Sequence, residues 1–162
     1  MVRRGSVLRD PCFCRRRRSR LLYPNPTAAN RALSEQWRWP HFSTRELSCR
    51  CGGRFCGGQY WHDAGFLDAL EDMRARAGGP LVLTSGHRCA GWNASVGGAP
   101  LSRHKQIAAD IRIAGHRRDR LLYAANGAGF TGLGLARSFL HIDRRARPAR
   151  WYYPGSEKLW IQ

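Results

Sequence analysis

Apolar and polar residues alternate along the chain in two distinct periods. Between Asp63 and Ala77, Phe66, Leu67, Leu70 and Met73 fall on one stripe at helical spacing. That predicts a helix over 63–77, with Asp63 as its N-cap and Gly78-Gly79-Pro80 ending it. Leu81-Val82-Leu83-Thr84 follows as a short buried strand that turns at Ser85-Gly86. Ala109, Ile111 and Ile113 alternate with Asp110 and Arg112, the period-two pattern of a half-buried strand. A second helix is predicted over Arg117–Gly127, carrying Leu121, Leu122 and Ala125, and two further strands over 130–135 and 138–143. Residues 89–103 are rich in Gly, Asn and Ser and predict a long functional loop. Nearer the start, Ser43-Thr44-Arg45-Glu46 reads as a capped turn leading into Leu47. The order of helices and strands predicts an α+β fold with a small, mainly antiparallel sheet and flanking helices.

The first 36 residues break this pattern. They hold Pro11, Pro24, Pro26 and the run Arg15-Arg16-Arg17-Arg18-Ser19-Arg20, with no apolar periodicity. They are expected to form a disordered basic extension, leaving residues 37–162 as the folded domain. Only Leu21-Leu22-Tyr23 separates Arg20 from Pro24, too short an apolar stretch for the core of a signal peptide. A transmembrane helix is not expected, because no run approaches eighteen apolar residues.

Charge widens the choice of partners without making it. The net charge is +17, and Lys105 and Lys158 are the only lysines among 28 basic residues. A surface this basic attracts nucleic acid through its phosphates, and equally any other polyanion, including a bacterial envelope. The six cysteines are similarly open. Cys49-x-Cys51-x4-Cys56 lacks the paired Cys-x2-Cys knuckles of a zinc ribbon. A structural zinc on these three with Cys89, one or two disulfides, and unpaired apolar packing are all compatible with the spacing.

Chemistry concentrates in two stretches, Ser102-Arg103-His104-Lys105-Gln106-Ile107-Ala108-Ala109-Asp110 and Phe139-Leu140-His141-Ile142-Asp143. In a strand, His141 and Asp143 share one face and Leu140 and Ile142 the other. Asp110 projects opposite Ala109 and Ile111, toward a face that can meet His141 across the sheet. Two imidazoles and two carboxylates supply the ligand types of a catalytic zinc site, three protein ligands with one position left for water.

With Thr84-Ser85-Gly86-His87-Arg88 and Asn93-Ala94-Ser95-Val96-Gly97-Gly98-Ala99, these segments resemble the M15 family of zinc peptidases, from about Phe42 to Trp151. The M15 pattern is similar to Ser-x-His-x2-Gly-x-Ala-x-Asp with a later histidine. The resemblance implies His104, Asp110 and His141 as zinc ligands and Ser102 as a residue of the substrate site. It implies Arg88 as the group that binds a substrate carboxylate or the transition-state oxygen. The chain departs from the pattern in two places: Asp110 follows His104 by six residues rather than seven, and the motif's glycine is missing. Ser138 and Phe139 stand where many relatives carry their base, so Asp143 is the expected general base, with a role orienting a ligand histidine as the rival. His87 is expected to pack, and Asn93, Gly97 and Gly98 to shape the loop.

The resemblance further implies an enzyme, a zinc-dependent hydrolase of peptidoglycan stem peptides, cutting as a D-Ala-D-Ala carboxypeptidase or as an endopeptidase of endolysin type. It implies the M15-type fold, with the zinc at the sheet edge. Such an enzyme is expected to be made in the cytoplasm and to act at the cell wall or periplasm. Two other function classes compete with it. A wall-binding M15-like domain without catalysis keeps the site and loses the reaction. A nucleic-acid-binding module is compatible with the basic–aromatic alternation in Trp37-Arg38-Trp39 and over Arg147–Tyr153, which permits stacking on single strands.

Overall fold

A computed structural model describes residues 22–161. The arginine run and Cys12 and Cys14 lie outside the described residues. Part of the expected disordered extension, from residue 22 onward, is instead ordered. Leu22–Tyr23 (β1) pairs antiparallel with Tyr60–Trp61 (β2), and Pro26–Leu33 forms a helix (α1). The Asn25 side chain caps α1 by accepting from the Ala28 amide at 2.8 Å, and Pro26 occupies its first turn, where a missing N–H costs nothing. Tyr23, Ala29 and Leu33 are buried in the core. A whole-segment composition dominated by arginine and proline conceals these three anchors.

The capped turn at Ser43 is a full capping box starting the short helix Thr44–Leu47 (α2): the Ser43 hydroxyl accepts from the Glu46 amide, and the Glu46 carboxylate accepts from the Ser43 amide. The long helix runs Ala64–Ala77 (α3), with the Asp63 side chain accepting from the Phe66 amide. It ends at Gly78, whose φ of 73° is the left-handed cap conformation that glycine adopts without a Cβ clash. Phe66, Leu67, Leu70 and Met73 are buried, as the stripe predicts.

The main sheet consists of Leu83–Ser85 (β3), Ala109–Arg112 (β4), Gly132–Leu135 (β5), Phe139–Asp143 (β6) and Ala149–Tyr152 (β7), in the order β3-β4-β6-β5-β7. Every pairing is antiparallel except β5 with β7. One face carries Ile111, Leu133, Leu135, Leu140 and Ile142 into a core shared with α3 and with the helix Arg118–Gly127. The second helix predicted from the sequence is therefore present. The architecture is α+β, with two sheets and several helices. No helix among the described residues is long and apolar enough to cross a membrane.

Two further expectations change. Residues 89–103 are not loop throughout, because Ala90–Ser95 forms a helix (α4) and, C-terminal to α4 in the chain, Arg118–Gly127 becomes α5. Asn93, 3% exposed, holds the end of α4 by donating to the Gly98 and Ala99 carbonyls, a buried local network that composition does not announce. Residues 149–152 are also an ordered strand, so the basic–aromatic alternation there places Trp151 inward and Arg150 and Tyr152 outward.

Candidate metal centre

The strand register brings the two chemical stretches together. Asp110 lies directly opposite His141 across the β4–β6 pair, on the sheet face away from the core. Both strands are interior to the sheet, so the cluster sits over its middle and not at its edge as expected. His104 approaches from above, on a short 3-10 turn, Arg103–Lys105, that the Ser102 hydroxyl caps by accepting from the His104 amide. The six-residue spacing from His104 to Asp110 spans this turn and the start of β4, and it brings both side chains to the same cluster.

Three atoms converge: His104 Nε2, Asp110 Oδ1 and His141 Nδ1, separated by 3.2, 3.1 and 3.0 Å. All three residues are buried. The other ring nitrogens settle the proton positions. His104 Nδ1 lies 2.7 Å from the Gly86 carbonyl, which can only accept, so this nitrogen carries the hydrogen. His141 Nε2 lies 3.1 Å from Asp143 Oδ2 and by the same reasoning donates to that carboxylate. In their neutral forms both imidazoles direct their hydrogens outward, and three lone pairs then face one another in a buried space. Electrostatics disfavours that arrangement unless a cation occupies the centre. The spacing also suits one: bonds of about 2.0–2.1 Å in a tetrahedral site place ligand atoms roughly 3.3 Å apart. A divalent metal fits these donors, each histidine being oriented through its second nitrogen as ligating histidines are.

Two arginines flank the cluster. Arg88 Nη2 donates to Asp110 Oδ2 at 2.8 Å and its Nε donates to Ser85 Oγ at 3.0 Å. Arg145 grips Asp143 with its backbone amide at 3.0 Å and with its guanidinium, which also lies 4.7 Å over the Trp151 ring. Burial works against both carboxylates, yet the two histidines around Asp110, and Arg145 with His141 around Asp143, hold them well below the usual carboxylate range. Burial also disfavours a charged His141, but Asp110 and Asp143 outweigh it and raise its pKa.

Close backbone approaches create the space for these side chains. A Cβ on Gly132 would sit 2.1 Å from Asp143 Oδ1, and one on Gly134 would sit 2.6 Å from the Trp151 ring. These glycines stand opposite Asp143 and His141 in the β5–β6 register. Gly86 likewise lets the chain bearing Arg88 lie against α2, where a Cβ would meet the Leu47 backbone at 2.5 Å. Sequence reasoning names Arg88, His104, Asp110, His141 and Asp143 but misses Arg145, Trp151 and the two β5 glycines. The small–large alternation Gly132-Leu133-Gly134-Leu135 is the one signal that points to them.

The cluster opens into a cavity of about 660 Å³ lined by Arg88, Ser102, Arg103, Arg145, Trp151 and Tyr153, among others. Arg88 faces it as expected, and Ser102 lines it while serving as the turn's cap. His87 does not reach it: its Nδ1 donates to the Gln106 carbonyl at 2.8 Å, and its ring packs beside Trp61. Asp143 lies outside the cavity's walls. It is wholly buried behind His141, with both oxygens held by Arg145 and one also accepting from His141. These are the surroundings of a carboxylate that orients a ligand, and they do not fit the expected general base, which must reach water in the cleft.

The family model described as Peptidase M15 matches residues 40–143. The chain belongs to that family, a family of peptidases. None of the curated proteins matches the chain.

Proposed function

We propose that this peptidase is zinc-dependent and hydrolyses peptide bonds of peptidoglycan stem peptides at the cell wall, as a carboxypeptidase or an endopeptidase. The observation that carries the metal is the convergence of three atoms able to ligate within 3.2 Å, the second nitrogen of each histidine lying against an acceptor. Zinc bound there would act as a Lewis acid and lower the pKa of water from about 15.7 to near 7. His104, Asp110 and His141 hold the ion, and the Gly86 carbonyl and Asp143 fix the two ring orientations. Arg88 binds a substrate carboxylate or the oxygen that gains charge as the peptide carbonyl is attacked.

Charge around the site supports an anionic substrate. Asp110 and Asp143 are balanced by Arg88 and Arg145, so a bound divalent ion leaves the cleft positive, with Arg103 adding to it. Stem peptides carry free carboxylates, and the overall charge of +17 favours an anionic wall polymer. The aromatic residues Trp151 and Tyr153 form a wall of this cavity, a use of the basic–aromatic alternation that needs no nucleic acid.

One observation favours a second reading. Among the described residues lining the cavity, Asp110 is the only carboxylate and His104 and His141 the only imidazoles, so no separate base stands there. A domain that binds wall peptides at a metal and does not cut them would have this composition. Digestion of peptidoglycan from several chemotypes by the zinc-loaded protein, read by mass spectrometry, separates the two. Release of D-alanine or of stem-peptide fragments is expected; binding to walls without release establishes the second reading.

Asp143→Asn tests the role given to that residue. An orienting partner of a ligand histidine is worth about 10–100-fold in metal affinity or activity. The variant is therefore expected to bind zinc about 10–100-fold more weakly and to recover most of its activity at saturating zinc. Unchanged zinc affinity with abolished turnover would instead make Asp143 the base.

A further inference from the structure

A second cluster lies apart from the histidine site. The thiols of Cys49, Cys51, Cys56 and Cys89 are all unbridged, and their sulfurs lie within 4.8 Å of one another. Three of the four residues are buried. They come from two separate segments: the loop after α2 and the residue that opens α4.

We propose that these four cysteines form a closed structural zinc site, independent of the histidine-lined centre and of the proposed function. A tetrahedral ion with Zn–S bonds of about 2.3 Å sets its sulfurs roughly 3.8 Å apart. Cys51 Sγ and Cys56 Sγ are already 3.6 Å apart. Backbone amides are turned toward the cluster, as sulfurs carrying negative charge require. Gln59 donates to Cys56 Sγ, Cys89 to Cys49 Sγ and Trp92 to Cys89 Sγ, each at 3.4 Å. Positive φ at Gly52 and Gly53, 64° and 87°, curls the chain between Cys51 and Cys56.

The loop itself gives the reason for an ion. Between Cys49 and Gly58 there is no helix or strand, four residues are glycine, and Phe55 is 44% exposed. Fixing each residue's backbone costs conformational entropy, and this segment buries little besides its own thiols. A structural zinc ion contributes its binding free energy to folding and so can order such a loop. Four sulfur ligands leave no position for water, so the site holds structure and performs no chemistry. Its placement matters to the other centre. Cys89 directly follows the segment in which Gly86 orients His104 and Arg88 holds Asp110. The four thiols therefore pin one wall of the candidate active site to α2.

The test uses the full chain prepared with zinc under reducing conditions. His104→Ala/His141→Ala is expected to retain one zinc per chain, with X-ray absorption showing four sulfurs at about 2.3 Å. The wild type is expected to hold two zincs, with sulfur and lighter ligands mixed. Cobalt substitution of the double variant is expected to give thiolate-to-metal charge-transfer absorption. Cys89→Ser is expected to lose one of the wild type's two zincs; if that variant fails to fold, the wild-type absorption spectrum still decides. A double variant without zinc, a wild-type shell without sulfur, or a Cys51–Cys56 disulfide in the zinc-supplied protein would each overturn the site. None of these results depends on whether the protein cleaves peptidoglycan.

Discussion

His104→Ala is expected to lower peptide hydrolysis by about 1,000-fold or more and to leave the protein with one zinc fewer per chain than the wild type. Lewis-acid stabilisation by a metal is worth several kcal/mol of barrier, and each ~1.4 kcal/mol is tenfold in rate. The fold should tolerate the change. The side chain's one bond to fixed structure, to the Gly86 carbonyl at 2.7 Å, contributes on the order of 1 kcal/mol. Metal-free wild type and variant should therefore melt within a few degrees of each other, while only the wild type gains stability from the histidine-bound ion. At a free zinc concentration 1,000 times its dissociation constant, that gain is about 4 kcal/mol. Wild-type hydrolysis by the variant, or an unchanged zinc count, would remove His104 from the ligand set.

Part of this centre is legible in the order of residues alone. Strand alternation puts His141 and Asp143 on the face opposite Leu140 and Ile142, and Asp110 on the face opposite Ile111. The structure places them so, because a buried apolar face fixes strand register and a slip of one residue would invert every side chain. The stripe Phe66, Leu67, Leu70, Met73 and the caps Asp63 and Gly78 are legible for a similar reason: each signal is local and repeats at the helical period.

What escapes is set by contacts between distant segments. The role of Asp143 depends on Arg145 and His141 enclosing it, and on Gly132 in the neighbouring strand leaving room. A carboxylate two residues after a histidine is equally compatible with a base and with an orienting partner. The cysteines illustrate the same limit. Cys89 is 33 residues beyond Cys56, and only the fold, which sets α4 against the loop after α2, brings the fourth thiol to the other three. Residues 22–33 are hidden differently: three buried anchors, Tyr23, Ala29 and Leu33, are too few to show as a period among arginines and prolines.

Two roles are proposed for Arg88, and Arg88→Ala separates them. One role is structural, since its Nη2 holds Asp110 Oδ2 at 2.8 Å and neutralises a carboxylate whose side chain is only 7% exposed. Removing one partner of a buried ion pair costs about 3–5 kcal/mol when the remaining charge is left uncompensated. That cost should fall on the metal-free protein, because a bound divalent ion supplies Asp110 with a replacement positive charge. The other role faces the cavity, where losing a donor to a developing oxyanion lowers kcat by about 100–1,000-fold. Arg88→Ala is accordingly expected to destabilise the metal-free protein more than the zinc-loaded one, and to keep most of its loss in kcat at saturating zinc. Arg88→Lys, which restores the charge without the planar fork, should recover the stability and only part of the rate. If saturating zinc instead returned kcat of Arg88→Ala to the wild-type value, Arg88 would act solely through Asp110, and the oxyanion would need another donor.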